Sequence, residues 1–274
     1  IALREVEDVE GYGIADINKD MRISRFVEKP TPKEAPSDLA NTGLYVVSPE
    51  IKKILKEKGV KQIIKERQRL DFGFDFIPYI IKTGRPVYGY TLKGSWYDVG
   101  TPKRYLEAMQ DMLQGRFSSL TDFGGRISPE EKVWVQGESS ESMKRRQEII
   151  RKIRQGKIEV EGAVLIGRHC KISDNVRIVN SCIDNYTQVE EGAEIENSAV
   201  LDRAIVGEKA TIRESIIGRH STIQSSRKKQ TKIDGVSVIA DDVTVAEGCI
   251  LATTKIYPHQ YVRGEFTNQT LMPG

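Results

Sequence analysis

The stretch VEGAVLIGRHCKISDNVRIVNSCIDNYTQVEEGAEI, residues 160–195, decides the fold of the longer part of this chain. Large aliphatics return at every sixth position, at Val160, Ile166, Ile172 and Ile178, and again at Ile183, Val189 and Ile195. The spacing continues at Val206 and Ile212, at Ile217 and Ile223, and at Ile239, Val245 and Leu251. Strand side chains alternate with a period of two, so a repeat of six keeps each aliphatic on the same inward face. A helix could not do this, because six residues turn it by about 600° and put successive aliphatics on opposite sides. The region reads as a parallel β-helix of short flat strands and tight corners. The position four after each aliphatic is mostly small or β-branched, as at Cys170, Val176, Cys182, Ala193, Ala210 and Cys249. A narrow corner explains that choice, and it predicts that all three cysteines are buried, un-ionised fillers. One interruption, Gln224–Ser237, carries Arg227, Lys228, Lys229 and Lys232 and is expected to project as a loop.

Upstream the periodicity changes. Pro49–Lys58 is expected to be a helix capped by Ser48 and stopped by Gly59, with Ile51, Ile54 and Leu55 on one face. Pro102–Gln114 repeats the design, with Thr101 as cap, Gly115 as stop and Tyr105, Leu106, Met109, Met112 and Leu113 as the apolar stripe. Strands are expected at Ile1–Glu5, Arg22–Glu28, Thr42–Val47 and Val87–Leu92, so this part is an α/β domain. The domain limits read as 1–117, a linker at 118–157 with a basic helix over Glu141–Gln155, the β-helix at 158–256, and a tail at 257–274. The bases of that helix (Lys144, Arg145, Arg146, Arg151, Lys152 and Arg154) read as a solvated face. One end of the β-helix would be covered by this helix and the other by the tail, where Pro258 stops the ladder.

Composition narrows the functional class. There are 42 basic and 39 acidic residues among 274, a formal net charge of +3, which excludes a role set by bulk charge such as coating nucleic acid. No run of 18 apolar residues offers a membrane span, and three cysteines without CxxC spacing make neither a disulfide framework nor a zinc site. With no signal-peptide pattern after Ile1, the expectation is a soluble, reduced, cytoplasmic protein.

Three clusters in the first part carry candidate chemistry. In Phe26-Val27-Glu28-Lys29-Pro30 a strand ends in an acid and a base, and open α/β sheets bind ligands at the carboxyl ends of their strands. Asn41-Thr42-Gly43-Leu44-Tyr45 opens another expected strand with polar residues, and Trp96-Tyr97-Asp98-Val99-Gly100-Thr101-Pro102 sets an acid in a turn before a capped helix. Taken singly, each has an ordinary explanation as an exposed ion pair or a turn residue. Together with Tyr12-Gly13 and Asp75-Phe76-Ile77-Pro78, in this order and ahead of a hexapeptide repeat, they make the chain resemble the sugar-1-phosphate nucleotidylyltransferases, in particular the mannose-1-phosphate guanylyltransferase-like branch.

The resemblance implies the carboxyl-terminal half of a Rossmann-like nucleotidyltransferase domain followed by a left-handed β-helix. By position it assigns Glu28 to sugar hydroxyls, Lys29 to the sugar phosphate, Gly13, Asn41 and Tyr45 to the sugar pocket, and Asp98 to a magnesium ion. It implies a nucleoside triphosphate and a sugar 1-phosphate as substrates, GTP with mannose 1-phosphate ahead of UTP or dTTP with glucose 1-phosphate. The family's glycine-rich loop, GGxGTRLxPLT, is not found in these residues, and the chain is therefore expected to be inactive without it. The reaction needs no general base, because the attacking phosphate oxygen is already anionic; positioning and charge neutralisation suffice. Flat outer faces with scattered aliphatics such as Leu165, Val200 and Leu201 suggest a homo-oligomer. Two rival readings stand beside this one. The β-helix could be an acetyltransferase, with His169, His220 or His259 as base and the basic insertion holding coenzyme A, or the chain could be a non-catalytic assembly subunit.

Overall fold

A computed structural model describes residues 1–117 and 123–272 and divides the chain into two compact units, Ile1–Trp96 and Tyr97–Gly274. Residues 118–122 of the expected linker and 273–274 of the expected tail lie outside the described residues.

In the first unit five strands form one sheet: β1 (Ala2–Glu5), β2 (Gly13–Ile17), β3 (Ile23–Glu28), β4 (Leu39–Asn41) and β5 (Tyr90–Thr91), in the order β3-β2-β4-β1-β5. Only β1 and β5 run parallel. Leu3, Ala15, Ile23 and Phe26 pack with Ile77 from the short helix α3 (Ile77–Lys82) to make the core. The expected strand at Thr42–Val47 is not formed. Asn41 Oδ1 accepts from the Gly43 amide at 3.1 Å and Gly43 turns to φ +78°, so pairing stops after Leu44 and Val46 stands in solvent. The strand that does form there is β4, just upstream. Of Val87–Leu92 only Tyr90–Thr91 joins β1, because Val87 and Gly89 bond instead to Ile23 and Met21 at the start of β3.

The expected helix at Pro49–Lys58 is two helices, α1 (Ile51–Ile54) and α2 (Lys58–Arg67). Ser48 does not cap; its hydroxyl donates to the Glu50 carboxylate. Gly59 lies inside α2 rather than beyond a helix end, and packing is the reason. A Cβ there would come within 2.6 Å of the Tyr79 ring, which is held in place by its hydroxyl bond to Glu57.

The second unit opens with α4 (Pro102–Leu113), where Thr101 Oγ1 accepts from the Arg104 amide and Gly115 turns to φ +75° just past the end, as the sequence requires. After β6 (Val133–Val135) and α5 (Ser140–Arg154) the chain winds into a parallel β-helix, its strands stacked into sheets of seven, eight and six, consistent with the left-handed form. The inward stack is the expected one: Ile178 pairs with Ile195, Ile195 with Ile212, and Val189 with Val206, all buried. The ladders extend beyond the expected limits at both ends. β6 pairs with Val164–Ile166, and strands at Tyr261–Val262, Glu265–Thr267 and Thr270–Leu271 continue past Pro258, where Val262, Phe266 and Leu271 stack on Val245, Leu251 and Ile256.

The coil is not six residues on every side. In several turns two sides take six residues and the third takes five, as from Ile178 to Ile183, Ile195 to Val200 and Ile212 to Ile217, whereas Val160 to Ile166 and Ile233 to Ile239 take six. A five-residue side would reverse the in-out alternation, so the chain resets at its corner. Corners of six-residue sides are left-handed at Asn175, Tyr186 and Arg203, and those of the five-residue sides at Asn180, Asn197 and Glu214. A fully buried serine follows each of the last three. Ser181, Ser198 and Ser215 donate to the carbonyl two residues back, at 2.7, 2.7 and 2.6 Å, and the first two accept from the backbone N–H of the next serine up, at 3.0 Å. Val200 is therefore fully buried and not on an outer face.

The reset also corrects Cys182. It precedes the inward Ile183, pairs with outward Leu165 and Ala199, and is covered from outside by Leu106, Met109 and Leu113 of α4. Cys170 and Cys249 are inward fillers as expected, 1% exposed. The insertion is shorter than the sequence suggests. Thr231 occupies the small corner site and Ile233 the inward site, so only 225–230 leaves the coil. Its bases fold back onto acids, Arg227 to Glu191 and Glu208, and Lys229 to Glu247. Burial pushes the thiols of both Cys170 and Cys182 up to about 12. We predict that a Leu106→Ala/Met109→Ala variant labels Cys182 with a thiol reagent at least tenfold faster while Cys170 stays protected. Equal protection of both would contradict the outward placement.

Candidate functional site

β3 delivers the acid. Antiparallel pairing sets Glu28 opposite Gly13, and Ile14 opposite Ala40 puts Asn41 on the other side of Gly13 one step further along. Directly opposed residues share a face, so Glu28, Gly13 and Asn41 form a row across three strands. Gly13 is needed there. A Cβ at this position would lie 2.4 Å from Glu28 Oε2 and 2.5 Å from the Phe26 ring.

A second glycine closes on the same carboxylate. The π-helical turn Phe72–Phe76 brings Gly73 so near that a Cβ would fall 2.1 Å from Glu28 Oε2. Two acids hold this turn. Asp71 accepts from the Phe74 amide at 2.9 Å, and buried Asp75 accepts from the Asp71 amide at 2.9 Å while pairing with Arg67. Gly73 escaped sequence reasoning, which stopped at Asp75; the flanking Phe72-Gly73-Phe74 was the available signal.

Glu28 is half-buried, and burial raises its pKa above the usual carboxylate range; the nearby Asp71 charge adds to this and Lys29 opposes it. Lys29 itself is exposed, in a left-handed conformation at φ +50° fixed by its amide bond to Tyr12 O at 2.8 Å. Its ammonium makes no ion pair among the described residues. Asn41 Nδ2 donates to the Tyr45 hydroxyl at 2.7 Å, and the Tyr45 ring packs on Phe72 at 5.4 Å between centroids. The structure thus brings Gly13, Glu28, Asn41 and Tyr45 together, with Lys29 next along the chain. Tyr45 and Phe72 also wall an apolar groove of about 1160 Å³ that runs past Ile51, Ile54 and Ile80.

Asp98 stands in the second unit. Its Oδ1 accepts from the Gly100 amide at 3.0 Å and its Oδ2 pairs with Arg104 at 2.7 Å. The Tyr97 hydroxyl donates to Asp111 at 2.5 Å, and burial followed by that bond pushes its pKa up to about 12, which fixes the start of this turn to α4. Among the described residues no group of three His, Cys, Asp or Glu could hold a metal. A magnesium ion carried on phosphates needs only one or two protein carboxylates, so partly exposed Asp98 fits as one of them if Arg104 gives way.

The histidines are engaged elsewhere. His169 stacks on Tyr186 at 4.7 Å, and His220 and His259 both face Asp242 at 3.7 Å. Two bases of the insertion, Arg227 and Lys229, are paired with acids as well.

The α/β unit followed by a parallel β-helix is a nucleotidyltransferase domain with a solenoid attached. Residues 1–115 match the nucleotidyl transferase family and residues 160–272 the GMPPB C-terminal domain, and with the relatives below these matches support the sugar-1-phosphate nucleotidyltransferase family. It is 28% identical over 276 residues to a glucose-1-phosphate adenylyltransferase of Acetivibrio thermocellus, covering 95% of this chain and 59% of that protein. A Desulfitobacterium hafniense protein of the same name is 28% identical over 253 residues, covering 90% and 58%. A UTP–glucose-1-phosphate uridylyltransferase of Synechocystis is 27% identical over 202 residues, covering 73% and 46%. The chain therefore spans about half to three fifths of the length of these relatives. No helix of the described residues is long and apolar enough to cross a membrane.

The raised pKa of Glu28 has a sign that can be checked. A carboxyl whose folded pKa lies above its unfolded value costs stability at pH above both, and the cost vanishes at pH below both. Glu28→Gln should therefore raise the thermal midpoint at pH 7 relative to wild type, and the gain should disappear as pH falls below about 4, under the ordinary carboxylate range. An equal effect at both pH values would place Glu28 in an unstrained site.

Proposed function

We propose that the first unit binds a hexose 1-phosphate and serves nucleotidyl transfer, in which the sugar phosphate oxygen attacks the α-phosphorus of a nucleoside triphosphate and pyrophosphate leaves. The observation that carries this reading is the row of Glu28, Gly13 and Asn41 with Lys29 beside it. Glu28 accepts hydrogen bonds from sugar hydroxyls, and Gly13 leaves the room that this carboxylate occupies. Asn41, its amide aimed by Tyr45, presents a further polar contact. Lys29 meets the phosphate and lowers the repulsion between two anionic substrates. Asp98 would supply one oxygen to magnesium carried by the phosphates, an ion that contributes charge neutralisation. Glucose 1-phosphate, present in the names of the relatives above, supports one sugar; the resemblance of the Trp96–Pro102 turn and β-helix to the guanylyltransferases supports mannose 1-phosphate with GTP.

We also infer a homo-oligomer, supported by the six-stranded sheet, whose outward Gln188, Ile205, Thr222, Thr244 and Tyr261 form an uncharged row beyond Lys171. Leu165 and Leu201 are not available for it, being packed against the α4 cluster. Sedimentation at micromolar concentration should give a dimer or larger species, and a monomer would refute this assembly.

Calorimetry with glucose 1-phosphate and mannose 1-phosphate tests the site itself. Lys29→Ala and Glu28→Gln should each weaken binding of the preferred sugar phosphate at least tenfold. Asp98→Asn should leave magnesium-free binding unchanged and remove its enhancement by magnesium. Unchanged affinity in both Lys29→Ala and Glu28→Gln would end the assignment.

A further inference from the structure

α5 carries a basic groove whose charges the structure leaves unanswered. Arg146, Arg151 and Arg154 line a cleft of about 550 Å³ together with Gln147 and Gln155, and Ile127 and Ile150 form its apolar lining. No acid lines it. On the faces of the β-helix Arg177, Arg213 and Arg227 each reach carboxylates, whereas Arg168, Arg219 and Arg263 stand singly among the described residues. Along α5, Arg145 pairs with Glu148, and Lys152 with Glu148 and Asp174. Arg151 and Arg154 reach no carboxylate among the described residues, and neither does Arg146.

Arg146 is also set in place. Its Nε donates to the Val135 carbonyl at 2.8 Å, which fixes the guanidinium against the first rung of the β-helix and leaves its terminal nitrogens for another acceptor. Guanidinium presents paired N–H donors that match two phosphate oxygens at once. The cleft has the size of a small-molecule pocket, too small to enclose a macromolecule.

We propose that this groove binds a small phosphorylated metabolite, its phosphate on Arg146, Arg151 and Arg154 and its carbon part on Ile127 and Ile150. The site belongs wholly to the second unit and does not depend on the sugar-phosphate reading of the first.

Titration calorimetry with phenyl phosphate and with inorganic phosphate, at matched ionic strength and in a Lys29→Ala background, isolates the groove from the first unit. Phenyl phosphate should bind more tightly than inorganic phosphate, and Arg151→Gln/Arg154→Gln should weaken it at least tenfold. If that variant fails to fold, Arg151→Lys/Arg154→Lys keeps the charge and should still lose most of the affinity, because lysine cannot bond in paired fashion. Equal affinity in the folded variant would overturn the site, as would heats that sulfate at the same ionic strength reproduces. Tighter binding of a single-stranded RNA oligomer through the same arginines would overturn the ligand class.

Discussion

The β-helix depends on how each turn closes its short side. Five residues cannot preserve a two-residue alternation, so the backbone must reset wherever that side has five, and the reset leaves a backbone N–H inside the wall. The buried hydroxyls of Ser181 and Ser198 accept that N–H from the turn above while donating to a carbonyl of their own turn. Ser237 and Thr254 repeat the contact near the far end, at 3.0 Å. An unpaired buried amide costs about 1–3 kcal/mol, so an aliphatic in each of these sites would impose that cost turn after turn. The inward isoleucines supply the apolar drive, and the hydroxyls let it act without interruption.

A related constraint governs the first unit. The Glu28 carboxylate occupies space that side chains at Gly13 and Gly73 would fill. One glycine comes from the neighbouring strand and the other from a turn locked by Asp71 and Asp75. The carboxylate is thereby partly removed from water and kept in one place, which raises its pKa and prepares it as an acceptor. Lys29, by contrast, is left exposed beside it through a left-handed backbone. A fixed acceptor beside a solvated cation suits a ligand with hydroxyls at one end and phosphate at the other.

The aliphatic repeat was legible because burial imposes it at every turn, and so were α4 and its cap. The orientation of Cys182 was not, since counting in sixes conceals a five-residue side; the alternation of Asn or Glu with Ser at 180–181, 197–198 and 214–215 was the clue. Gly59 looked like a helix stop because a glycine required by a tertiary neighbour cannot be told from one required by its own φ. Glu28, Lys29, Gly13, Asn41 and Tyr45 stood out only through their resemblance to a family. Gly73 did not, because a π-helical turn has no periodicity to read. Asn41 could not be joined to Glu28 without the register of β2 between them.

The central claim is that the sheet row of Glu28, Gly13 and Asn41 receives the sugar. Nuclear magnetic resonance of the chain labelled with ¹³C at glutamate carboxyls and ¹⁵N at asparagine amides tests it during titration with glucose 1-phosphate or mannose 1-phosphate. The account predicts that the Glu28 carboxyl and the Asn41 side-chain amide shift together, with one saturation curve, for the sugar that binds. Saturable binding that leaves both signals in place while others move would contradict it.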